Sequence, residues 1–224
     1  MNPEILNAYK ADNPIRNAYR VAINTAQGGK PDNDYKQYRY YVMHQLAQYA
    51  VKRFPLLNLV ECGCWHGHST MILAGIMLGQ TVGRLHVFDS FKGLSEFRDV
   101  DVSPFMDTPK KRANERAHYA SDIHRLRRLV EPYGFVDLHK GWIPDVFVDV
   151  GEIAFASIDV NLYEPTRAAV EFAYTHLVPG GAIYFDDYGY ATFPGAKTAI
   201  DDYLSTVSPT LFIENPMGSA YLVK

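Results

Sequence analysis

The segment Glu61-Cys62-Gly63-Cys64-Trp65-His66-Gly67-His68-Ser69-Thr70 follows directly on an apolar run, Leu56 to Val60, broken only by Asn58. A glycine just past a buried strand lets a ligand approach the backbone closely. The spacing is E-x-G-x-x-x-G, not the G-x-G-x-x-G that aims a pyrophosphate at a helix N-terminus. S-adenosylmethionine carries no phosphate but has an amino-acid end and a sulfonium cation. An acid at the strand end, Glu61, suits those groups directly or through water, with Gly63, Trp65, Gly67 and Ser69 in the turn around them. A second apolar run ends Val87-Phe88-Asp89-Ser90, and an acid there accepts hydrogen bonds from ribose hydroxyls. Read alone, the first motif also fits a tight turn with no ligand, and Asp89 also fits a loop or cap residue.

Two further runs end in acids. Ile158-Asp159 is followed by Val160-Asn161-Leu162-Tyr163-Glu164, and Phe185 by Asp186-Asp187-Tyr188. On neighbouring strands these ends would lie about 4.8 Å apart. Three unpaired carboxylates at one rim would repel and raise one another's pKa. A divalent cation resolves the repulsion, and oxygen-only ligands favour a hard ion such as Mg²⁺. Adjacent strand residues point to opposite faces, so Asp186 and Asp187 share an ion only if the strand has already opened into a loop. The alternative is that one aspartate caps a helix while another faces solvent.

The elements that must position these residues alternate. Strands are expected at Leu57 to Cys62, Arg84 to Phe88, Phe135 to His139, Ile153 to Ile158 and Ala182 to Phe185. Helices are expected at Ser69 to Leu78, Asn114 to Val130, Thr166 to His176 and Lys197 to Thr206. Leu211 to Glu214 and Ala220 to Val223 form a closing hairpin turned by Asn215-Pro216-Met217-Gly218. This α/β rhythm predicts a mostly parallel sheet covered on both faces, with its site at the C-terminal strand ends. A helix from Asp34 to Phe54 precedes it, with Tyr35, Tyr38, Val42, Leu46 and Tyr49 on one face, packed on the domain or on a second subunit. The division is an N-terminal helical arm or lid, 1–56, and a domain at 57–224 with a lid-like insertion at 93–121. The first 32 residues, with their Gly28-Gly29 break, and the segment Gly93 to Lys111 lie outside the rhythm; long connections at a sheet's active edge gate access.

Composition narrows the classes. The chain has 224 residues, 47% hydrophobic, with a net charge of −3. That predicts no field for nucleic acid or an anionic membrane. The longest clean apolar run, Met71 to Leu78, is far short of a membrane span. The opening Met1-Asn2-Pro3-Glu4 lacks a signal-peptide pattern, so the expected compartment is the cytoplasm. Cys62 and Cys64 are too close for a good staple and too few for a zinc site.

The chain resembles the macrocin O-methyltransferase family, whose members methylate sugar hydroxyls on antibiotics. The matching stretches are VECGCWHGHST at 60–70, HVFDSFKGL at 86–94, KGWIPDVF at 140–147, IDVNLYEPT at 158–166, VPGGAIYFDDY at 178–188 and FPGAKTAIDDYL at 193–204. The resemblance implies a Rossmann-like seven-stranded methyltransferase sheet of order 3-2-1-4-5-7-6, with strands four and five adjacent. It implies S-adenosylmethionine as methyl donor and Mg²⁺ held by Asp159, Asp186 and Asp187, with Asp159 also the general base. Family members commonly carry an aspartate where this chain has Asn161, an amide that adds no charge.

Gly141 and Trp142, after the third strand, are candidates for the adenine pocket, though Trp142 fits plain core equally well. His118 is a lesser candidate base, and His124-Arg125-Leu126-Arg127-Arg128 reads as a solvated basic face. The expected partner is a small hydroxyl acceptor, a sugar or glycoside, and a homo-oligomer is possible. A metal-dependent enzyme for catechol-like diols is the alternative, because a catechol is also a vicinal diol. A nicotinamide-dependent oxidoreductase lacks its glycine motif here, and a non-catalytic cofactor-binding module would not need the aspartate set.

Overall fold

Period-two alternation sends neighbouring strand residues to opposite faces of one sheet, and each face has its own core. Leu59, Val87, Phe155 and Tyr184 pack on one side; Val60, Phe88, Ala156 and Phe185 pack on the other. The computed structural model describes residues 14–27, 34–79 and 83–224. The strands are β1 Asn58–Cys62, β2 Leu85–Asp89, β3 Val136–Lys140, β4 Ile153–Ile158, β5 Leu177–Phe185, β6 Leu211–Glu214 and β7 Ala220–Val223. They lie in the order β3-β2-β1-β4-β5-β7-β6, as the family resemblance implies. β1 to β5 are parallel, and β7 runs antiparallel between β5 and β6. Every residue of the central strand β4 is buried, which explains its unbroken apolar sequence.

The described helices are α1 Pro14–Gln27, α2 Asp34–Arg53, α3 His68–Met77, α4 Pro109–His118, α5 Ile123–Val130, α6 Tyr163–His176 and α7 Pro194–Leu204. Tyr19, Ala22 and Ile23 of α1 and Met43, Ala47 and Val51 of α2 join the core cluster that holds Leu59 of β1 and Leu73 of α3. Residues α6 and α7 contribute to the opposite cluster include Ala169, Val170 and Ile200. No helix among the described residues is long and apolar enough to cross a membrane.

Two expectations need correction. The inward face of α2 is not the tyrosine stripe: Arg39, Tyr40, Met43, His44, Ala47, Ala50 and Val51 are buried, whereas Tyr49 is 44% exposed. Tyr38, Val42 and Leu46 are half-buried, and the side chain of Tyr35 lies outside the described residues. Arg39 and His44 hide the true face because polar residues break the apolar period. The single helix expected from Asn114 to Val130 is two, α4 and α5. Ala120 bridges to Lys92 between them, and Asp122 caps α5 by accepting from His124 N at 2.9 Å. Within the first 32 residues, 14–27 form a regular helix; 1–13 and 28–33, with the Gly28-Gly29 break, lie outside the described residues.

The insertion is latched rather than loose. The buried Asp101 accepts hydrogen bonds from Arg98 N at 2.9 Å and from Tyr163 N, the first residue of α6, at 2.7 Å. A Cβ on Gly195 of α7 would fall 1.8 Å from Asp101 Oδ1, so only glycine admits this contact. Ser103 Oγ donates to the Thr192 carbonyl at 3.0 Å.

Candidate active site

A cavity of about 370 Å³ opens at the C-terminal ends of β1, β2, β4 and β5. Its floor is the turn after β1. Gly63 has φ +84, and a Cβ there would fall 1.9 Å from the Asp159 carbonyl oxygen, so this glycine lets two strand ends close on each other. Trp65 is also left-handed, at φ +45. Its ring sits 5.5 Å from that of His118, and its Nε1 donates to the His118 carbonyl at 3.3 Å.

Asp89 organises the turn. Its Oδ2 accepts from Cys64 N at 2.8 Å and Trp65 N at 3.2 Å, and its Oδ1 from Phe91 N at 2.6 Å. A carboxylate offers about four lone-pair sites. With three given to the backbone, roughly one is left for a ligand. Ser90 Oγ donates to Gly93 O at 2.8 Å and ties the insertion to the same loop. Gly63, Trp65, Ser69, Asp89, Ser90, Gly141 and Trp142 line the cavity, and Trp142 is 37% exposed, so it is not core. Glu61 and Gly67 do not line it. A Cβ on Gly67 would meet Leu126 Cδ1 at 2.3 Å, so this residue serves the packing of α3 against α5. Glu61 is fully buried and accepts from Thr70 Oγ1 at 2.5 Å. Burial pushes its carboxyl up to about 8, against the pull of the Ser69 and Thr70 hydroxyls and with help from the charges of Asp89 and Asp159. Cys62 and Cys64 are buried and free, and burial pushes both thiols up, which leaves them poorly reactive.

The aspartates meet. β4 and β5 are paired in parallel, with Ile158 opposite Phe185. β5 ends at Phe185, so Asp186 and Asp187 lie past the strand and escape its alternation. One oxygen each from Asp159, Asp186 and Asp187 lies within 4.8 Å of the others. Asp187 Oδ2 is buried and accepts no hydrogen bond among the described residues. An all-oxygen donor set with an orphaned buried acceptor fits a hard divalent cation. Asn161 lines the cavity beside them at φ +62, a left-handed conformation that an asparagine tolerates.

Two basic side chains that the motif search missed also reach the trio. Lys36 Nζ, from the first turn of α2, lies 3.2 Å from Asp159 Oδ2 and 2.5 Å from Asp186 Oδ2. One turn on, Arg39 Nη1 lies 3.0 Å from Asp186 Oδ2 and 3.5 Å from Asp187 Oδ1. Burial alone would lower the Lys36 ammonium, but Asp159 and Asp186 hold it well above its ordinary value. Burial would raise Asp186, yet Lys36 and Arg39 keep it below the usual carboxylate range. Burial and the charge of Asp186 raise Asp159; burial and both other aspartates raise Asp187. A weak signal for these bases existed: Lys36, Arg39 and Met43 recur at helical spacing on one face of α2.

His118 lines the cavity from the end of α4, with Tyr119 beside it. The basic run is mostly solvated, as expected, except that Arg125 donates to the Thr25 carbonyl of α1 at 3.3 Å.

This strand order, with a glycine turn after β1 and an acid closing β2, defines a class I methyltransferase fold. The solved O-methyltransferase NovP superposes with a TM-score of 0.71 over 99% of this chain and 95% of its own, at 22% identity. The chain belongs to the macrocin O-methyltransferase family: the model described as Macrocin-O-methyltransferase (TylF) matches residues 41–216. It is 30% identical over 154 residues to the 8-demethyl-8-(2,3-dimethoxy-alpha-L-rhamnosyl)-tetracenomycin-C 4'-O-methyltransferase of Streptomyces olivaceus. It is 25% identical over 154 residues to the mycinamicin III 3''-O-methyltransferase of Micromonospora griseorubida. Each match covers 65% of this chain, and the chain spans only 57% and 59% of those relatives' lengths.

Proposed function

We propose that this chain transfers a methyl group from S-adenosylmethionine to a hydroxyl of a sugar or glycosylated small molecule, with Mg²⁺ held by Asp159, Asp186 and Asp187. The observation that carries this reading is the convergence of the three carboxylates on one side of the cavity whose floor is the Gly63 turn. Membership of the family supports the reaction, and the rhamnosyl group in the name of the Streptomyces olivaceus relative supports the acceptor class.

Gly63, Trp65, Ser69, Asp89, Ser90, Gly141 and Trp142 would hold the methyl donor, with Asp89 offering its remaining acceptor site to a ribose hydroxyl. S-adenosylmethionine supplies a methyl already activated on a sulfonium, and Mg²⁺ supplies positive charge that makes a nearby hydroxyl more acidic. The protein's task is mainly to aim the acceptor and accept its proton. Asp159 suits the second role. Its side chain is 28% exposed, against 3% for Asp186 and 7% for Asp187, so it is the carboxylate of the trio that an acceptor can reach. Asp186 and Asp187 act as ligands only. The insertion supplies Gly93, Leu94, Ser95, His118 and Tyr119 to the wall and acts as a lid that keeps water from the reacting oxygen.

The test is incubation with S-adenosylmethionine, Mg²⁺ and a panel of rhamnosides, other glycosides and catechols, followed by mass spectrometry. A methylated glycoside is expected; turnover of catechols alone would overturn the acceptor class. Limited proteolysis within 93–111 should slow when donor, metal and acceptor are all present, and equal rates would remove the lid role.

A further inference from the structure

On the metal reading of the trio given above, Lys36 stands where a ligand-bridging cation would stand. Its ammonium contacts Asp159 and Asp186 at once, two of the three donors. The trio carries three negative charges, and Lys36 with Arg39 returns two positive ones. The two bases are not equivalent. Arg39 is fixed to the backbone, donating to the Asp186 carbonyl at 2.8 Å, and its side chain is 9% exposed. The Lys36 ammonium meets carboxylate oxygens of Asp159 and Asp186 and the face of Tyr40, 5.2 Å from the ring centroid, and its side chain is 20% exposed. A flexible four-carbon stem on the first turn of a helix can swing its head toward the cavity without moving the helix.

We propose that Lys36 and a divalent cation are alternative occupants of the carboxylate trio, so that Lys36 must withdraw before the metal can seat. In the absence of metal the ammonium keeps the buried carboxylates from unfolding the rim. When metal enters, Lys36 is released into the cavity, next to the acceptor site. Arg39 stays in place in both states. The apparent affinity for metal is then the intrinsic affinity multiplied by the fraction of molecules in which Lys36 is withdrawn.

The experiment uses Mn²⁺ as a paramagnetic probe, counted by electron paramagnetic resonance, with the wild-type chain, Lys36→Met and Lys36→Arg. Lys36→Met should bind Mn²⁺ at least about tenfold more tightly than wild type, the expected gain if nine molecules in ten hold the ammonium in place. Lys36→Arg should show no gain. Should Lys36→Met fold poorly, the wild type carries the test: amine-reactive labelling of Lys36, read by peptide mass spectrometry, should rise on Mn²⁺ binding. Equal or weaker binding by Lys36→Met, or unchanged labelling with Mn²⁺ bound, overturns the exchange while leaving the metal site standing. If neither wild type nor Lys36→Met binds Mn²⁺, the metal reading falls and the exchange falls with it.

Discussion

Arg39 holds Asp186 at two atoms, donating to its backbone carbonyl at 2.8 Å and facing its Oδ2 at 3.0 Å. The contact fastens α2 to the loop after β5. Breaking one partner of a buried pair costs about 3–5 kcal/mol when the other charge is left uncompensated, and less here because Lys36 still faces Asp186. Arg39→Ala should therefore lower the unfolding free energy by up to about 3 kcal/mol, read as a lower denaturation midpoint. A midpoint matching wild type would show that the pair contributes nothing net.

The turn after β1 tolerates no side chain at Gly63. Gly63→Ala combines a left-handed backbone with a clash on the Asp159 carbonyl, and should cost about 3 kcal/mol or more. Gly75, inside α3, has nothing within 4 Å of an added Cβ. Gly75→Ala should instead stabilise by about 0.5–1 kcal/mol. Thermal melts of the two variants should move in opposite directions, and parallel shifts would refute the steric account.

For the cofactor, the measurement is calorimetric titration with S-adenosylhomocysteine. Asp89→Ala removes the proposed ribose acceptor and frees three backbone N–H groups that shape the turn. Binding should weaken by about 1.5–3 kcal/mol. Unchanged affinity would remove Asp89 from the cofactor site.

Metal dependence is tested by chelation. EDTA should abolish turnover and added Mg²⁺ restore it. Asp159→Asn should lose turnover while keeping the circular dichroism spectrum of wild type, because an amide can neither take the proton nor carry the ligand charge. Full activity in EDTA would refute the metal role of the trio.

Glu61 makes stability depend on pH in the apo protein. Its carboxyl is raised from 4.5 to about 8 in the fold, so between those values the native state holds a proton that the unfolded state has lost. Stability from this group is full below pH 4.5 and falls as pH rises toward 8. Glu61→Gln keeps the shape without the ionisation and should flatten the profile across that window. A slope identical to wild type in chemical denaturation would assign the pH dependence elsewhere.

The sequence by itself determined the strands, their order of appearance and the acids that close them. Ile153–Ile158 reads as a strand because six buried residues leave no polar interruption, and the Gly63 turn and Asp89 sit where the backbone pattern demands them. These are local signals, set by side-chain periodicity and by which residues tolerate a turn. The tertiary structure decided how those pieces meet. Only the pairing of β4 with β5 brings Asp159 to Asp186 and Asp187, and only the opening of the chain after Phe185 turns both of the latter to one point. Lys36 reaches Asp159 across 123 positions and Asp186 across 150. The helical spacing of Lys36, Arg39 and Met43 marks one face of α2, but no local pattern records what that face meets. Their meaning comes from the packing of α2, which buries Met43, Ala47 and Val51 and in doing so swings its basic first turns over the acidic rim.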